Sequence, residues 1–158
     1  MDGLRLVEFT PDRADLFRAI NTEWIEAMYR MEAADHAVLD HPVERIIAPG
    51  GAILFVEADG LGIVGTCALK RTGEDEFELT KMGVLAAARG RGAGEYLLKA
   101  AIVRAYEMDG KLLYLLTNRK SEAAIHLYER HGFVHDAEIM NRFGRGYERC
   151  DVAMRHVP

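Results

Sequence analysis

Cysteine is scarce in this chain. Cys67 and Cys150 are the only two in 158 residues, too few for a disulfide framework and too few to complete a four-ligand zinc site by themselves. Both sit in hydrophobic, strand-like surroundings and are expected to pack as reduced thiols. Long apolar runs are also missing. No stretch approaches the ~20 apolar residues that a membrane-spanning helix needs, and Met1-Asp2-Gly3-Leu4-Arg5 lacks the charged-then-apolar profile of a signal peptide. The expectation is a soluble, unexported, cytoplasmic protein with no membrane partner. Basic residues are in deficit, 20 against 25 acidic ones for a formal charge of −5, so the molecule as a whole repels nucleic-acid phosphates. No compensating basic patch stands out, and no nucleic-acid partner is expected. His126, His131 and His135 do not read as a metal site, because positions 126 and 131 are five apart and share no helix face as a His-x-x-x-His pair would.

What is present is the balance of an ordinary globular protein, 49% hydrophobic and 28% charged, with length enough to bury roughly two-thirds of the unfolded surface. Without repeats, linkers or low-complexity segments, residues 1–158 read as a single mixed α/β domain. Leu4, Leu6 and Phe9 suggest a first strand. Thr10-Pro11-Asp12 then supplies helix-start chemistry before Leu16, Phe17 and Ile20, and a second helical region carries Trp24, Ile25, Met28 and Tyr29. The stretch through Asp35-His36 and Asp40-His41-Pro42 has no clear pattern. Ala52 to Ala58 and Leu61 to Lys70 form a hairpin across Asp59-Gly60, and Phe77 to Val84 form a further strand. Leu97, Leu98, Ala101, Ile102 and Ala105 mark one face of a helix after Gly94. Leu112 to Leu116 reads as a buried strand and Glu122 to His131 as a helix capped by Ser121 and closed by Gly132. Two last strands are expected around Val134 to Met140 and Cys150 to Met154, joined by the glycine-rich link Phe143-Gly144-Arg145-Gly146.

The chemistry concentrates in Arg89-Gly90-Arg91-Gly92-Ala93-Gly94, between a strand and a convincing helix. Glycines at a helix entrance let several backbone N–H groups converge on one anion, and two arginines add charge. A phosphate or pyrophosphate is the natural guest. The loop is not a Walker A motif, because Glu95-Tyr96 replaces the Lys-Ser/Thr pair, and its glycines are not spaced as a dinucleotide fingerprint. Gly83, inside a strand, marks either a place where a ligand arm approaches the backbone or a packing glycine beneath a large side chain.

These residues resemble the GNAT superfamily of N-acetyltransferases. Arg89, Gly92 and Gly94 match its coenzyme A motif, Arg/Gln-x-x-Gly-x-Gly/Ala, and Ala124 to Phe133 matches its Ala-x-x-hydrophobic-Tyr-x-x-x-Gly-Phe segment downstream. The resemblance implies a central, mostly antiparallel sheet of six to seven strands with about four helices, whose central strands splay near Val84 and Asn118 into a coenzyme cleft. It implies acetyl-CoA as co-substrate, no metal, and an amine acceptor that is a small molecule or peptide. By the same implication Met82 and Val84 pair with the pantetheine arm, and Arg89, Gly90, Arg91, Gly92, Ala93 and Gly94 hold the pyrophosphate. Asn118 or Ser121 stands in for an asparagine that many relatives use on the arm.

An attacking amine must lose a proton and the departing thiolate must gain one. Glu78 is the candidate base, directly or through water, and Tyr128 the candidate acid. A backbone N–H near Val84 is the candidate for steadying the developing oxyanion. Glu23, Trp24, Tyr29, Glu32 and Asp35 offer an aromatic and acidic lining suited to a cationic amine, and Arg142 to Tyr147 reads as a hairpin loop bordering the acceptor. A non-catalytic acyl-CoA sensor is the alternative function, a nucleic-acid adaptor through Arg142 to Arg149 is a third, and a homodimer through the last strands stays open.

Overall fold

The computed structural model describes residues 3–158. A seven-stranded sheet runs in the order β1-β2-β3-β4-β5-β7-β6. Its strands are β1 (Leu4–Glu8), β2 (Ala52–Ala58), β3 (Gly62–Gly73), β4 (Glu76–Val84), β5 (Leu112–Thr117), β6 (Phe133–His135) and β7 (Val152–His156). Every neighbouring pair is antiparallel except β4 and β5, which run parallel. The helices are α1 (Ala14–Met28), α2 (Ala33–Leu39), α3 (Ala93–Glu107), α4 (Glu122–Arg130) and α5 (Ala137–Phe143). A π turn at Val43–Ile47 and short 3-10 turns complete the helical structure among the described residues.

Strand alternation sorts the core into two faces. Leu54 and Val56 join the cluster under α3 and α4 with Leu97, Leu98 and Tyr128, whereas Ile53 and Phe55 join the one under α1 and α2 with Phe17, Ile25 and Leu39. On that second face α5 packs Ile139 and Phe143 against Tyr114, whose ring stacks on Phe143 at 4.2 Å.

Four expectations change. The two early helical regions are one continuous helix, because Phe17, Ile20, Asn21 and Ile25 form a single buried stripe at helical spacing. Asn21 is tolerated within it because its amide donates to the Phe17 carbonyl at 2.9 Å and its oxygen accepts the Trp24 indole N–H at 2.8 Å. The strand expected over Val134 to Met140 stops at His135 and turns into α5. Asp136 causes the switch: its carboxylate caps the Glu138 and Ile139 amides at 2.8 and 3.1 Å. The segment from Arg142 to Tyr147 is accordingly helical at its start and a 3-10 turn at Gly144–Gly146, not a hairpin loop, and the last strand begins at Val152.

Gly83 meets the second of its two sequence readings. A Cβ there would overlap the Trp24 indole, so the glycine exists to seat α1 on β4. Gly83→Ala is expected to cost about 1–3 kcal/mol by overpacking, lowering the melting temperature by roughly 2–4 °C per kcal/mol. Thermal unfolding followed by the fluorescence of Trp24, the single tryptophan, checks it.

Candidate active site

The parallel pairing of β4 with β5 runs from Glu76↔Leu112 to Leu79↔Leu115 and stops. Beyond it the strands part. A bulge in β4 lies at the parting: Ala68 pairs with Thr80 and Thr66 with Gly83, so Lys81 and Met82 together face one residue of β3. Lys81 takes the left-handed conformation, φ 53°, which costs a side-chain-bearing residue about 1–2 kcal/mol. Past Leu79 the β5-facing edge of β4 has no partner strand. Between the strands lies a cavity of about 60 Å³, lined by Tyr128 from the α3/α4 face and by Trp24, Tyr29, Tyr147 and Arg149 from the α1/α2 face. It is therefore lined from both faces of the sheet.

The α1/α2 side of the cleft is organised by one carboxylate. Asp35, fully buried on α2, accepts from Lys81 Nζ at 2.9 Å, from both terminal nitrogens of Arg149 at 2.7 and 2.8 Å, and from the Glu32 amide at 2.9 Å. Burial alone would raise its pKa, but the Arg149 hydrogen bonds and the Lys81 charge outweigh that and hold the carboxyl well below the usual range. Lys81 Nζ also donates to the Tyr147 hydroxyl at 2.8 Å, and the Arg149 guanidinium lies 5.0 Å from the Tyr147 ring and 5.4 Å from the Tyr29 ring.

At the other end, Gly90 and Gly92 take φ of 82° and 77°, and α3 starts directly afterwards. The first helical bond there is from Tyr96 N to Gly92 O, so the Ala93, Gly94 and Glu95 amides precede any intrahelical acceptor. Gly94 connects this entrance to the cleft, since a Cβ on it would touch Val84 at 3.9 Å and Leu127 of α4 at 4.0 Å. The exposed Arg89 stays extended beside the loop, and Arg91 donates to the Asp59 carbonyl at 3.4 Å.

A strand pair that parts beside an amide-lined helix entrance is the frame against which known proteins can be compared. Residues 49–135 match the family model described as acetyltransferase (GNAT) domain. The chain belongs to the GNAT acetyltransferase family. The uncharacterised N-acetyltransferase YjgM of Escherichia coli K12 is 38% identical over 118 residues, 73% of this chain and 70% of its own. The uncharacterised N-acetyltransferase Rv2669 of Mycobacterium tuberculosis H37Rv is 29% identical over 114 residues, 72% of each chain. Among solved structures, a GNAT-family acetyltransferase from Staphylococcus aureus Mu50 superposes with a TM-score of 0.84 at 19% identity, covering 97% of this chain and 98% of that one. The putative acetyltransferase yncA of Salmonella typhimurium, solved with its cofactor acetyl-CoA, gives 0.72 at 16% identity over 99% and 94%. At such identities the structural likenesses speak for the fold alone.

On this GNAT frame the candidate residues divide. Tyr128 is buried at the cleft and its hydroxyl has no protein partner among the described residues. Burial keeps its phenol protonated far above neutral pH. Glu78 does not line the cleft. It sits one residue before the last paired position of β4, is 7% exposed, and burial raises its carboxyl pKa against the pull of Lys70 and Lys81. Met82 and Asn118 line the cleft, with the Asn118 amide spent on the Arg149 carbonyl at 2.7 Å and its oxygen on the Lys120 amide at 2.8 Å. Ser121 caps nothing with its side chain and instead shares a 2.7 Å hydrogen bond with the Tyr29 hydroxyl. Trp24 and Tyr29 reach the cleft, whereas Glu23 is drawn away to accept the Ala86 amide at 3.0 Å. Lys81 and Arg149 escaped sequence reasoning as acceptor-site residues, whereas Tyr147 ends the segment expected to border the acceptor. A lysine in the middle of an apolar strand beside Gly83 was the one available signal.

Asp35→Asn should destabilise the protein by about 3–5 kcal/mol, because Lys81 would be left buried without a carboxylate. The folded-state pKa of Asp35 lies below its unfolded value, so its contribution is complete above ~3.9 and is lost as pH falls below that. Urea unfolding between pH 7 and pH 3 should show a steeper acid loss in the parent than in Asp35→Asn.

Proposed function

We propose that the chain, acting as one catalytic domain, is an acetyl-CoA-dependent N-acetyltransferase that acetylates a primary amine of a small molecule or peptide by direct attack in a ternary complex. The observation that carries this is the cleft between β4 and β5, because it brings side chains from both faces of the sheet to one point beside Tyr128. The acetyl-CoA in the structure of the similar yncA supports the choice of cofactor.

The residues present fit that cofactor. The Ala93, Gly94 and Glu95 amides, at the positive end of the α3 dipole, take the pyrophosphate with Arg89 and Arg91 beside them. The unpaired edge of β4 at Met82 and Val84 offers backbone groups to the pantetheine arm in the manner of an added strand. Asn118 lines the cleft and keeps one N–H and one lone pair after its bonds to Arg149 and Lys120, and Ser121 keeps part of its hydroxyl capacity after one bond to Tyr29, so either side chain can serve the arm. Bound acetyl-CoA supplies an acyl carbon activated as a thioester, whose carbon–sulfur bond breaks as the carbon–nitrogen bond forms.

Tyr128 supplies the proton for the departing sulfur, since its raised pKa keeps it a donor throughout the working range. Glu78 takes the proton from the amine through water, because it stands behind the cleft wall; its raised pKa brings its basicity closer to neutral. A backbone N–H near Val84, on the part of β4 that no longer pairs with β5, is the group assigned to steady the oxygen on which charge builds. A sensor that only binds acyl-CoA has no use for this paired donor and base.

Gly94→Asp separates cofactor binding from folding. Its Cβ meets neighbours only at 3.9 Å or more, and an acidic residue in the first turn favours the helix. Its carboxylate would nevertheless repel a pyrophosphate at the same amides. Calorimetry should show at least a tenfold loss of acetyl-CoA affinity with the melting temperature held or raised; unchanged affinity would remove the loop from the site. For the chemical step, Glu78→Gln is expected to lower kcat about 100-fold and Tyr128→Phe about 10- to 100-fold, both with acetyl-CoA affinity retained. The acid limb of the parent pH–rate profile should lie above the ordinary carboxylate range and vanish in Glu78→Gln.

A further inference from the structure

The wall of the cleft on the α1/α2 face differs from the acidic lining its composition suggests. Counting hydrogen bonds shows why. Asp35 accepts four, from Lys81 Nζ, two Arg149 nitrogens and the Glu32 amide, which fills the lone-pair positions of a carboxylate. Glu32 accepts from the Glu148 amide at 2.9 Å, the Arg149 amide at 3.4 Å and the Arg149 guanidinium at 3.2 Å. Asp35 has no capacity to spare for an incoming ammonium, and Glu32 has at most one lone-pair position left.

The donors are not exhausted. Arg149 uses three of its five N–H bonds on Asp35 and Glu32, leaving its Nε–H and one terminal N–H without a partner among the described residues. No buried side-chain N or O among the described residues lacks a partner, so the unpaired Nε–H touches accessible space. Lys81 uses two of its three N–H bonds, and the Tyr147 hydroxyl, which accepts from Lys81, still has its own proton to give. In the adjoining pocket that shares Tyr29 and Arg149 with the cleft, Lys120 lies 5.1 Å over the Tyr29 ring, donates to the Met28 carbonyl, and has no carboxylate partner among the described residues. A surface with spare donors, few free acceptors and an unpaired cation nearby is complementary to an oxyanion.

We propose that the amine accepted by this enzyme carries a carboxylate within a few bonds of its nitrogen, as a free amino acid does, and that Arg149, Tyr147 and Lys81 read that carboxylate. The inference rests on the acetyltransfer reading and narrows its substrate. The aromatic rings flanking Arg149 hold the guanidinium plane and leave an edge for the ligand. Polyamines are disfavoured because a second ammonium would meet mainly donors, and simple amines because they leave those donors without the oxyanion they fit.

The test measures thiol release from acetyl-CoA with matched acceptors: amino acids, their carboxamides, the corresponding decarboxylated amines, and polyamines. Amino acids are expected to exceed their decarboxylated counterparts in kcat/KM by about 100-fold or more, since a site built for a polar group rejects the analogue lacking it. Tyr147→Phe keeps the ring and removes the hydroxyl. It should raise KM for the carboxylate acceptor about tenfold with little change in the acetyl-CoA Kd. A purely structural role for Tyr147 would instead lower the melting temperature and cofactor affinity together, with no preferential loss for carboxylate acceptors, and would overturn the assignment. Amines or polyamines turned over as well as amino acids, with acetyl-CoA binding intact, would overturn the carboxylate and leave acetyltransfer standing. Failure to bind acetyl-CoA at all would overturn both.

Discussion

A single buried carboxylate holds the two sides of the cleft in place. Asp35 grips Lys81 on β4, one bank, and Arg149 just before β7, whose neighbour β5 forms the other. The β4–β5 pairing has already ended at Leu79 and Leu115, so no ladder of backbone bonds fixes how far apart the strands stand. The gap is set from outside the sheet, by an ion cluster on α2. Its geometry is fixed in turn by a capping box in which Glu32 and Asp35 bond each other's backbone at the start of that helix.

Such an arrangement is costly by ordinary folding criteria. Buried ions lose hydration that their mutual attraction only partly restores, and Lys81 adds backbone strain through its left-handed conformation. An apolar replacement of similar volume would pack the space without either penalty. What the ions provide is directionality: a bidentate guanidinium and a point-like ammonium on one carboxylate fix angles as well as distances. The bulge belongs to the same device. It places Lys81 within reach of Asp35, in the stretch of β4 whose other edge no strand pairs.

What the sequence disclosed and what it withheld follows from how far apart the cooperating residues lie. The glycine loop is written in six consecutive residues before an unmistakable amphipathic helix, and its structure follows from local geometry, with positive φ at Gly90 and Gly92. The Tyr128 segment is equally local, a short helix closed by Gly132 at φ 92°. The β2–β3 hairpin was readable for similar reasons, whereas the splay of the central strands followed only from the family resemblance. Lys81 and Asp35, by contrast, are 46 residues apart, and Asp35 and Arg149 are 114 apart. No window of sequence shows that the carboxylates of Glu32 and Asp35 are already spoken for. The helix α5 was hidden differently: Val134 to Met140 alternates well enough for a strand, and only the cap at Asp136 decides the matter.

This separation also divides the site by how it depends on the fold. The helix entrance at α3 needs little beyond its own loop and the end of β4, whereas the wall opposite Tyr128 exists only once α2, β4 and the segment before β7 have all docked. Contacts of such long sequence separation close late and are lost with any of their elements. On the acetyltransfer reading, the cofactor end is therefore autonomous and the acceptor end is assembled from peripheral pieces. Substitutions in α2 or around Tyr147 can reshape what the acceptor wall recognises without touching the amides that hold the pyrophosphate. Tyr29 is the exception that couples the ends, because its ring flanks Arg149 while its hydroxyl bonds Ser121 at the start of α4. A change there would be felt by both partners of the reaction at once.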